Sequence, residues 1–254
     1  MIARHAQASS AVGSCILTGC LGLDYSDLTV IIPTFNEMGN IREVVSGLTK
    51  RYRNVSVTVS DDGSDDGTRE AVKALGKRNG RIKLLDRSQK REHGLAASVL
   101  DAALLAKTKK IVVMDGDGQH PLPVVGSIAI ALDSYDLVVG VRTHVKDWGM
   151  QRRVISKGMS SLSYLLFALR NRRLCNDMMS GFFGIDAAVF KDLIARRRKR
   201  FVGKGYKVLL DILKTMDRES TIGEVYYKTF HIRKEGNSKF GFRHVLTTLG
   251  SALG

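Results

Sequence analysis

The 254-residue sequence has few cysteines and lacks the motifs of several large enzyme classes. Its cysteines, Cys15, Cys20 and Cys175, form neither a CxxC pair nor a zinc-ligand spacing, which excludes a disulfide scaffold and a structural zinc site. No GxGxxG follows the first predicted strand, and no GxxxxGK[ST], GxSxG or HExxH is present. No apolar run approaches the roughly 20 residues that span a bilayer.

The composition is that of a globular protein with an uneven excess of positive charge. Hydrophobic residues make up 44% and charged residues 26%, which argues against intrinsic disorder. The net charge is +15, of which residues 1–136 carry +1 and residues 137–254 carry +14. A solvated basic surface is one explanation. The asymmetry instead indicates that the second half meets an anionic partner: nucleic acid, a phosphate-bearing substrate or an acidic lipid surface.

Apolar segments alternate between strand-like and helix-like patterns through the first half of the chain. Short β-branched runs predict five strands, and apolar residues spaced by three and four predict helices between them. The predicted strands are 28–32, 55–60, 82–85, 111–114 and 137–141, and the helices begin near residues 41, 68, 94 and 124. This alternation predicts an α/β fold with a mainly parallel sheet covered by helices on both faces. Ligands of such sheets bind beyond the carboxyl ends of the strands.

Outside this pattern the sequence predicts two features of a different kind. Residues 11–23 are small and weakly apolar, and we expect residues 1–26 to form a poorly ordered tail. Residues 155–169 form an apolar stripe at helical spacing with arginines at both ends. That stripe suits a helix that packs on the core, and it equally suits a helix that lies on an anionic membrane surface. A further helix is predicted at 189–194.

The second predicted strand ends in an acidic turn, Ser60-Asp61-Asp62-Gly63-Ser64-Asp65-Asp66-Gly67-Thr68. Asp-Gly pairs are ordinary turn residues, and Asp66 or Thr68 is suited to cap the next helix. Four aspartates within six positions repel one another, so we expect a ligand or cation to relieve that repulsion.

The fourth predicted strand ends in a second acidic turn, Met114-Asp115-Gly116-Asp117-Gly118-Gln119-His120-Pro121. Residues two apart on an extended chain point the same way, so Asp115, Asp117 and Gln119 converge as oxygen donors. Oxygen-only ligation selects Mg²⁺ or Mn²⁺, with water and substrate phosphate completing the shell. His120, before Pro121, is expected at the surface rather than as a ligand.

A set of sequence blocks in a fixed order resembles the family 2 glycosyltransferases. The resemblance is closest to the dolichol-phosphate mannose synthase branch and its bacterial polyprenyl-phosphate relatives, and it covers residues 28–243. The block Arg233-x-x-Gly236-x-Ser238-Lys239 is the one that points to this branch. The other blocks are IIPTFNE (31–37), SDDGSDDGT (60–68), GLAAS (94–98), MDGDGQHP (114–121), GVR (140–142), SGFFGID (180–186) and GYK (205–207).

The resemblance implies a single A-type glycosyltransferase domain with a Rossmann-like sheet over residues 27–243. Residues 27–141 would form the nucleotide and metal half, 142–243 the basic acceptor half and 244–254 a tail. The implied nucleotide-sugar contacts are Pro33, Phe35, Glu37, Ser60, Asp62, Asp115, Gly116, Asp117, Arg142, Arg233 and Lys239. Phe35 stands where the family usually has Tyr, and Gly116 where it more often has Ala.

The resemblance also implies catalytic, metal and acceptor roles. Asp117, Arg233 and Lys239 would be catalytic, and Asp115, Asp117 and Gln119 would hold Mg²⁺ or Mn²⁺. The lipid phosphate would be bound by Arg142, Arg152, Arg153 and Ser156. Lys207 and Asp177 match family positions without a defined role.

The implied reaction is inverting transfer of a sugar from a nucleotide donor to a polyprenyl (dolichyl-type) phosphate. The expected donor is GDP-mannose, with UDP-glucose second, and the expected location is peripheral, on the cytoplasmic side of a membrane. A chain that ends at Gly254 without a spanning helix resembles the short form that works with separate anchor subunits.

Three alternatives remain at this point. One is a family 2 enzyme that transfers another sugar to the same lipid. Another is a non-catalytic nucleic-acid binder that uses the basic region 142–207, but aromatic residues for base stacking are sparse there. The third is an inactive scaffold, which the complete metal-site sequence disfavours.

Overall fold

The computed structural model describes residues 23–143, 175–197, 201 and 208–228. These residues contain seven strands and six helices. In chain order they are β1 (Leu28–Thr34), α1 (Met38–Arg51), β2 (Ser56–Asp61), α2 (Thr68–Arg78), β3 (Ile82–Asp86), α3 (Leu95–Leu105), β4 (Lys110–Val113), α4 (Leu122–Ala131), β5 (Leu137–Arg142), β6 (Phe183–Asp186), α5 (Ala187–Arg197), α6 (Val208–Thr215) and β7 (Ile222–Tyr227).

The strands form one sheet in the order β3-β2-β1-β4-β6-β5-β7. Strand β6 is antiparallel to both of its neighbours, and every other pair in the sheet is parallel. The predicted mainly parallel α/β fold is therefore confirmed. The antiparallel strand β6 and the edge strand β7 come from the second half of the chain, so both predicted halves contribute to a single sheet.

Helices cover both faces of this sheet. Alternate residues of β1 explain why, because Val30 and Ile32 pack with α1 and α4 whereas Ile31 packs with α3, α5 and α6 on the opposite face. Helix α1 buries the residues that its helical spacing predicts, Ile41, Val44, Val45 and Leu48. Strands covered on both faces become nearly continuous apolar runs, as observed in the fully buried β1.

The domain begins before the predicted boundary at residue 27. Asp24 forms an isolated bridge with Arg53, and Tyr25 is buried with its ring 4.8 Å from that of Tyr52. Residues 24–26 therefore contact the domain instead of continuing the expected tail. Residues 1–22 and the predicted helix 155–169 lie outside the described residues.

One edge of the sheet carries the ends of β1, β2 and β4 and the beginning of β6. Thr34 at the end of β1 is in register with Asp61 at the end of β2, and Ile31 is in register with Val113 at the end of β4. Because β6 runs the other way, it begins at this same edge, with Phe183 opposite Val113. The turns that follow β1, β2 and β4 and the residues that precede β6 are thus brought together.

Candidate active site

The first acidic turn is built around a buried aspartate. Asp61 is fully buried, and its carboxylate accepts hydrogen bonds from the backbone of Gly63 (3.1 Å) and Ser64 (2.8 Å). The hydroxyls of Thr34 (3.0 Å) and Ser64 (2.5 Å) donate to its other oxygen. Asp61 therefore holds the turn in shape and joins it to β1.

The neighbouring aspartate, Asp62, is engaged by an arginine inside the protein. Arg87 is 1% exposed and pairs with Asp62 and, at 3.0 Å, with Asp101. The carboxylate of Asp62 also accepts from the backbone N–H of Gly94 at 2.6 Å and contacts His93 Nδ1 at 3.1 Å. Asp62 and Arg87 thereby fix the loop that leads into α3.

The remaining residues of this turn are connected to the start of α1. Asp66 accepts hydrogen bonds from the backbone of Met38 and from Thr68, and the backbone of Glu37 donates to the Thr68 hydroxyl at 2.9 Å. Burial acts to raise the pKa of Asp66, but hydrogen bonds from Thr68 and Met38 outweigh it and lower that pKa. The repulsion expected among the aspartates is thus offset by N–H and O–H donors and by Arg87, all within the chain.

The predicted nucleotide contacts of the first two strands lie in different environments. Phe35 is 50% exposed, and Glu37 is half-buried at the start of α1. Pro33 is buried in β1, beyond Ile31, the last residue of β1 that pairs with β4. A proline, which lacks an N–H, therefore costs no backbone hydrogen bond to β4 at this position. Ser60 is fully buried and donates to the carbonyl of Ser98 in α3. Phe35 and Glu37 are therefore the most accessible of this group.

The second acidic turn follows β4 and is more open. The side chain of Asp115 is 38% exposed, and Asp117 and Gln119 are half-buried. The backbone N–H of Gln119 donates to Asp117 Oδ1 at 3.0 Å, and Gly118, with φ +75°, supplies the left-handed backbone of the turn. The turn therefore presents its donors at the edge of the sheet.

Gly116 belongs to this turn and lies against the end of β1. A Cβ built on it would be 3.1 Å from Thr34 Cγ2 and 3.6 Å from Glu37 Cγ. The turn after β4 consequently lies directly against the turn after β1, so the predicted nucleotide and metal residues share one location.

The donors of this turn fit a hard divalent cation. Asp115, Asp117 and Gln119 offer only oxygen, and their partial exposure leaves room for water and substrate phosphate. Across the described part of the chain, no three His, Cys, Asp or Glu side chains are grouped as a metal site. A set of two carboxylates and one amide matches Mg²⁺ or Mn²⁺ chemistry, in which the substrate supplies further ligands.

His120 is buried, so the expectation of a surface position is wrong. It is 7% exposed, and its ring stacks on Phe182 with 4.7 Å between centroids and 11° between planes. Burial lowers the pKa of His120 to about 4, so the ring is neutral at pH 7. The rings of Phe182 and Tyr227 account for this burial, because His120 packs against both.

Arg142, at the end of β5, forms the other side of the site. Its Nε donates to Asp177 at 3.1 Å, and although burial opposes its charge, this pairing raises the pKa of Arg142. Asp115 contributes to the same shift, which places Arg142 near the acidic turn. Asn176, next to Asp177, donates to Glu224 on β7 with both its backbone and its side chain, which fixes the segment that carries Asp177.

Tyr227, at the end of β7, lies on the same side of the site as Arg142. Its ring lies 5.6 Å from Phe182, and its buried hydroxyl has no hydrogen-bond partner within the described residues. Burial raises the pKa of Tyr227; Arg142 opposes the shift, while Asp177, Asp115 and Asp117 reinforce it. The ring is therefore a neutral phenol close to the carboxylates.

Several predicted residues lie outside the described residues. These are Arg152, Arg153, Ser156, Lys207, Arg233 and Lys239. Their roles stay predictions. In the described part of the chain, none of the helices has the length and apolar character needed to cross a bilayer.

Sequence reasoning missed four residues of the site: His120, Arg87, Gly181 and Tyr227. His120 and Gly181 belong to two of the sequence blocks that resemble the family, MDGDGQHP and SGFFGID. Membership of those blocks could have identified both as residues of the site. Arg87 is one of many basic residues in its region, and its burial follows from its contacts with Asp62 and with Ser98 and Asp101 of α3. The β7 pattern that carries Tyr227 was not recognised as a strand.

Comparisons with known proteins identify the family of the chain. The model of glycosyl transferase family 2 matches residues 29–194. The dolichol-phosphate mannosyltransferase of Mycosarcoma maydis is 33% identical over 226 residues, which cover 83% of this chain and 72% of the relative. The Saccharomyces cerevisiae enzyme of the same name is 30% identical, with 90% of this chain and 85% of the relative covered. The Pyrococcus furiosus enzyme of that name is 32% identical, but only 58% of it is covered.

Solved structures share the fold at low identity. Glucosyl-3-phosphoglycerate synthase from Mycobacterium tuberculosis, in complex with Mn²⁺, UDP-glucose and phosphoglyceric acid, superposes with a TM-score of 0.63 and 21% identity. That match covers 89% of this chain and 79% of the other. Mannosyl-3-phosphoglycerate synthase from Rubrobacter xylanophilus gives a TM-score of 0.59 at 14% identity, with 92% and 72% of the two chains covered.

Proposed function

The chain belongs to glycosyltransferase family 2, and from that premise we propose that it transfers mannose from GDP-mannose to a polyprenyl (dolichyl-type) phosphate at a membrane surface. The observation that carries the proposal is the pair of relatives named dolichol-phosphate mannosyltransferase, aligned over 72% and 85% of their lengths. The acidic turn after β4 supports it, because its partly exposed oxygen donors suit the divalent cation that a nucleotide-sugar diphosphate would need.

Asp115, Asp117 and Gln119 would hold Mg²⁺ or Mn²⁺ in this site. When bound, the cation neutralises the diphosphate of the donor and makes it a better leaving group. Phe35 and Glu37, which border the same location, would contact the nucleotide. Phe35 provides an apolar ring face for this contact but no hydroxyl.

The acceptor requires no general base, since a phosphate is already ionised at pH 7. Its oxygen forms a bond to the anomeric carbon while the bond from that carbon to the diphosphate breaks, with inversion, and the nucleoside diphosphate leaves. Catalysis is then a matter of positioning and charge neutralisation. Arg142 is suited to the acceptor side because it lies at the sheet edge near Asp115.

The distribution of charge supports an anionic lipid as the partner. Basic and acidic residues balance within the described residues, so the net charge of +15 belongs to the segments outside them. Those segments include Arg152, Arg153 and Ser156, which we propose bind the lipid phosphate, and Arg233 and Lys239, which we propose close over the donor. A cytoplasmic, peripheral location, with or without an anchor subunit, follows from the same proposal.

The test is transfer of radiolabelled sugar to a polyprenyl phosphate in detergent. GDP-mannose and UDP-glucose are compared as donors, each with Mn²⁺, with Mg²⁺ and with EDTA. We expect lipid labelling from GDP-mannose that EDTA abolishes and that either cation restores.

Three other outcomes would contradict parts of the proposal. Labelling from UDP-glucose alone would show that the transferred sugar is glucose instead of mannose and would leave the acceptor assignment unchanged. Labelling that persists in EDTA would show that sugar transfer does not require a divalent cation. Absence of labelling from both donors, with the natural membrane fraction added to supply any anchor subunit, would overturn the acceptor assignment.

A further inference from the structure

His120 and Gly181 enclose the carboxylate of Asp115, although neither residue was part of the predicted site. The backbone N–H of Asp115 donates to His120 Nδ1 at 3.1 Å. Because Nδ1 accepts this bond, the ring proton of the neutral imidazole is on Nε2. That nitrogen is 3.7 Å from Asp115 Oδ2, too far for a hydrogen bond in this structure but on the side of the carboxylate.

The imidazole ring is held in this orientation by its aromatic neighbours. It stacks on Phe182, and Tyr227 meets its edge at 6.5 Å and 87°. Phe182 is itself fully buried at the start of β6, which is anchored between β4 and β5. The ring therefore has a rigid support and cannot rotate without breaking the bond to Asp115.

Gly181 lies against the same carboxylate. A Cβ built on Gly181 would be 3.0 Å from Asp115 Oδ2 and 3.1 Å from Oδ1, closer than side-chain carbons normally approach. Only a glycine leaves the carboxylate where it is. The antiparallel course of β6 brings Gly181 to this edge of the sheet.

We propose that His120 and Gly181 are positioning residues, which hold the Asp115 carboxylate in the orientation needed to bind the divalent cation. The inference rests on the proposed function. A carboxylate that is half-exposed at the end of a strand would otherwise sample several rotamers, and fixing it in advance strengthens metal binding. Outer-shell residues that hydrogen-bond to metal ligands typically contribute about 10- to 100-fold in affinity, and we expect an effect at the lower end of that range here.

The first test replaces His120 while keeping its packing. His120→Phe retains a stacking ring but removes both nitrogens, and His120→Asn retains an acceptor near the position of Nδ1. Mn²⁺ binding to the full chain is measured from the free Mn²⁺ signal in electron paramagnetic resonance, with GDP and, separately, UDP in excess. We expect a roughly tenfold weaker affinity for His120→Phe and a recovery to within about threefold of wild type for His120→Asn.

The second test changes Gly181 and compares it with a matched glycine. Gly181→Ala is expected to weaken Mn²⁺ binding about tenfold because the new methyl group displaces the carboxylate. Gly80→Ala is the control, since a Cβ at Gly80 would meet nothing within 4 Å. Thermal unfolding of every variant separates a loss of folding from a change in metal affinity of the folded protein.

The outcomes separate this inference from the proposed function. If wild type binds Mn²⁺ and Asp117→Asn does not, but His120→Phe and Gly181→Ala bind as wild type does, the inference is overturned and the metal site stands. A lower melting temperature with unchanged Mn²⁺ affinity likewise reduces His120 to a packing role. If wild type binds no Mn²⁺ with either nucleotide, the metal assignment fails and the inference fails with it.

Discussion

The acidic turns after β2 and after β4 lie at the same edge of the sheet, separated by β1, and differ in how their carboxylates are used. In the first turn, Asp61 is fully buried and Asp62 is paired with the buried Arg87. In the second, Asp115 is 38% exposed and Asp117 is half-buried. The two turns have similar composition, so composition alone does not distinguish a structural carboxylate from a reactive one.

What distinguishes the turns is the source of the groups that neutralise each carboxylate. Asp61 is saturated by backbone and hydroxyl donors from its own turn and from β1. Asp115 instead has His120 and Gly181 beside it, and its side chain is 38% exposed. Changes in the first turn should therefore reduce stability, and changes in the second should reduce activity.

The largest expected effect comes from the second turn. Asp117→Asn should lower the transfer rate about 1,000-fold, equivalent to about 4 kcal/mol, because one metal ligand loses its charge. The melting temperature should stay within a few degrees of wild type, since the amide oxygen can still accept from the Gln119 backbone. Transfer of labelled sugar checks the rate, and Asp65→Asn, an exposed acid of the first turn, is the control. Near-full activity of Asp117→Asn would contradict the conclusion that the second turn serves activity whereas the first serves stability.

The second prediction concerns the arginine that supports the first turn. Arg87→Met should lower the free energy of unfolding by about 3 to 4 kcal/mol, because Asp62 and Asp101 lose their shared cation. Denaturant unfolding measures this loss. Arg42→Met, on the exposed face of α1, should change the stability by less than about 0.5 kcal/mol. Equal effects of the two substitutions would show that the Arg87 network contributes no stability.

The third prediction separates the charge of Asp61 from its hydrogen bonds. Asp61→Ala should cost about 3 kcal/mol, because two N–H groups and two hydroxyls lose their common acceptor in a buried turn. Asp61→Asn should cost only about 1 kcal/mol, since its amide can still accept from Gly63 and Ser64. Thermal and denaturant unfolding check both values. An Asn variant as unstable as the Ala variant would mean that the charge itself is required.

The smallest effect is expected at Asp66, which connects the first turn to α1. Asp66→Ala should cost about 1 kcal/mol through the lost bonds to Met38 and Thr68. The pKa of Asp66 is lowered from 3.8, so its contribution is complete above about pH 5 and is lost as the pH falls through 3.8 and below. Unfolding of wild type and variant at pH 7 and pH 3 measures this. A difference between them that is the same at both values would contradict it.

The first half of the fold was predictable because its signals are local. Strands β1 to β5 and helices α1 to α4 follow from apolar runs and helical spacing in residues 28–142. Strand β6, with the sequence Phe-Gly-Ile-Asp, is only four residues long and includes a glycine, so it carries no strand signal of its own. Its insertion between β4 and β5 is a matter of tertiary pairing, which periodicity does not report.

The candidate site was predictable in its residue types but not in their surroundings. Asp115, Asp117 and Gln119 follow β4 because the end of its apolar run is a local signal, although they lie in a turn and not in extended chain. The burial of His120 depends on Phe182, 62 positions later in the numbering, and the close approach of Gly181 to Asp115 depends on the direction of β6. Those are long-range contacts, for which a single sequence gives no periodic signal.

The position of β6 also sets the order in which the protein can be assembled. Among the residues that the structure describes, strand β5 pairs only with β6 and β7, and both are synthesised after it. Strands β1 to β4 can associate once residue 113 is available, but β4 keeps an unpaired edge until residue 186 and β5 keeps one until residue 227. During synthesis, the edge of β4 therefore stays unpaired while more than 70 further residues are added. Unpaired strand edges promote aggregation, so we expect chaperones to be most important for this protein at that stage.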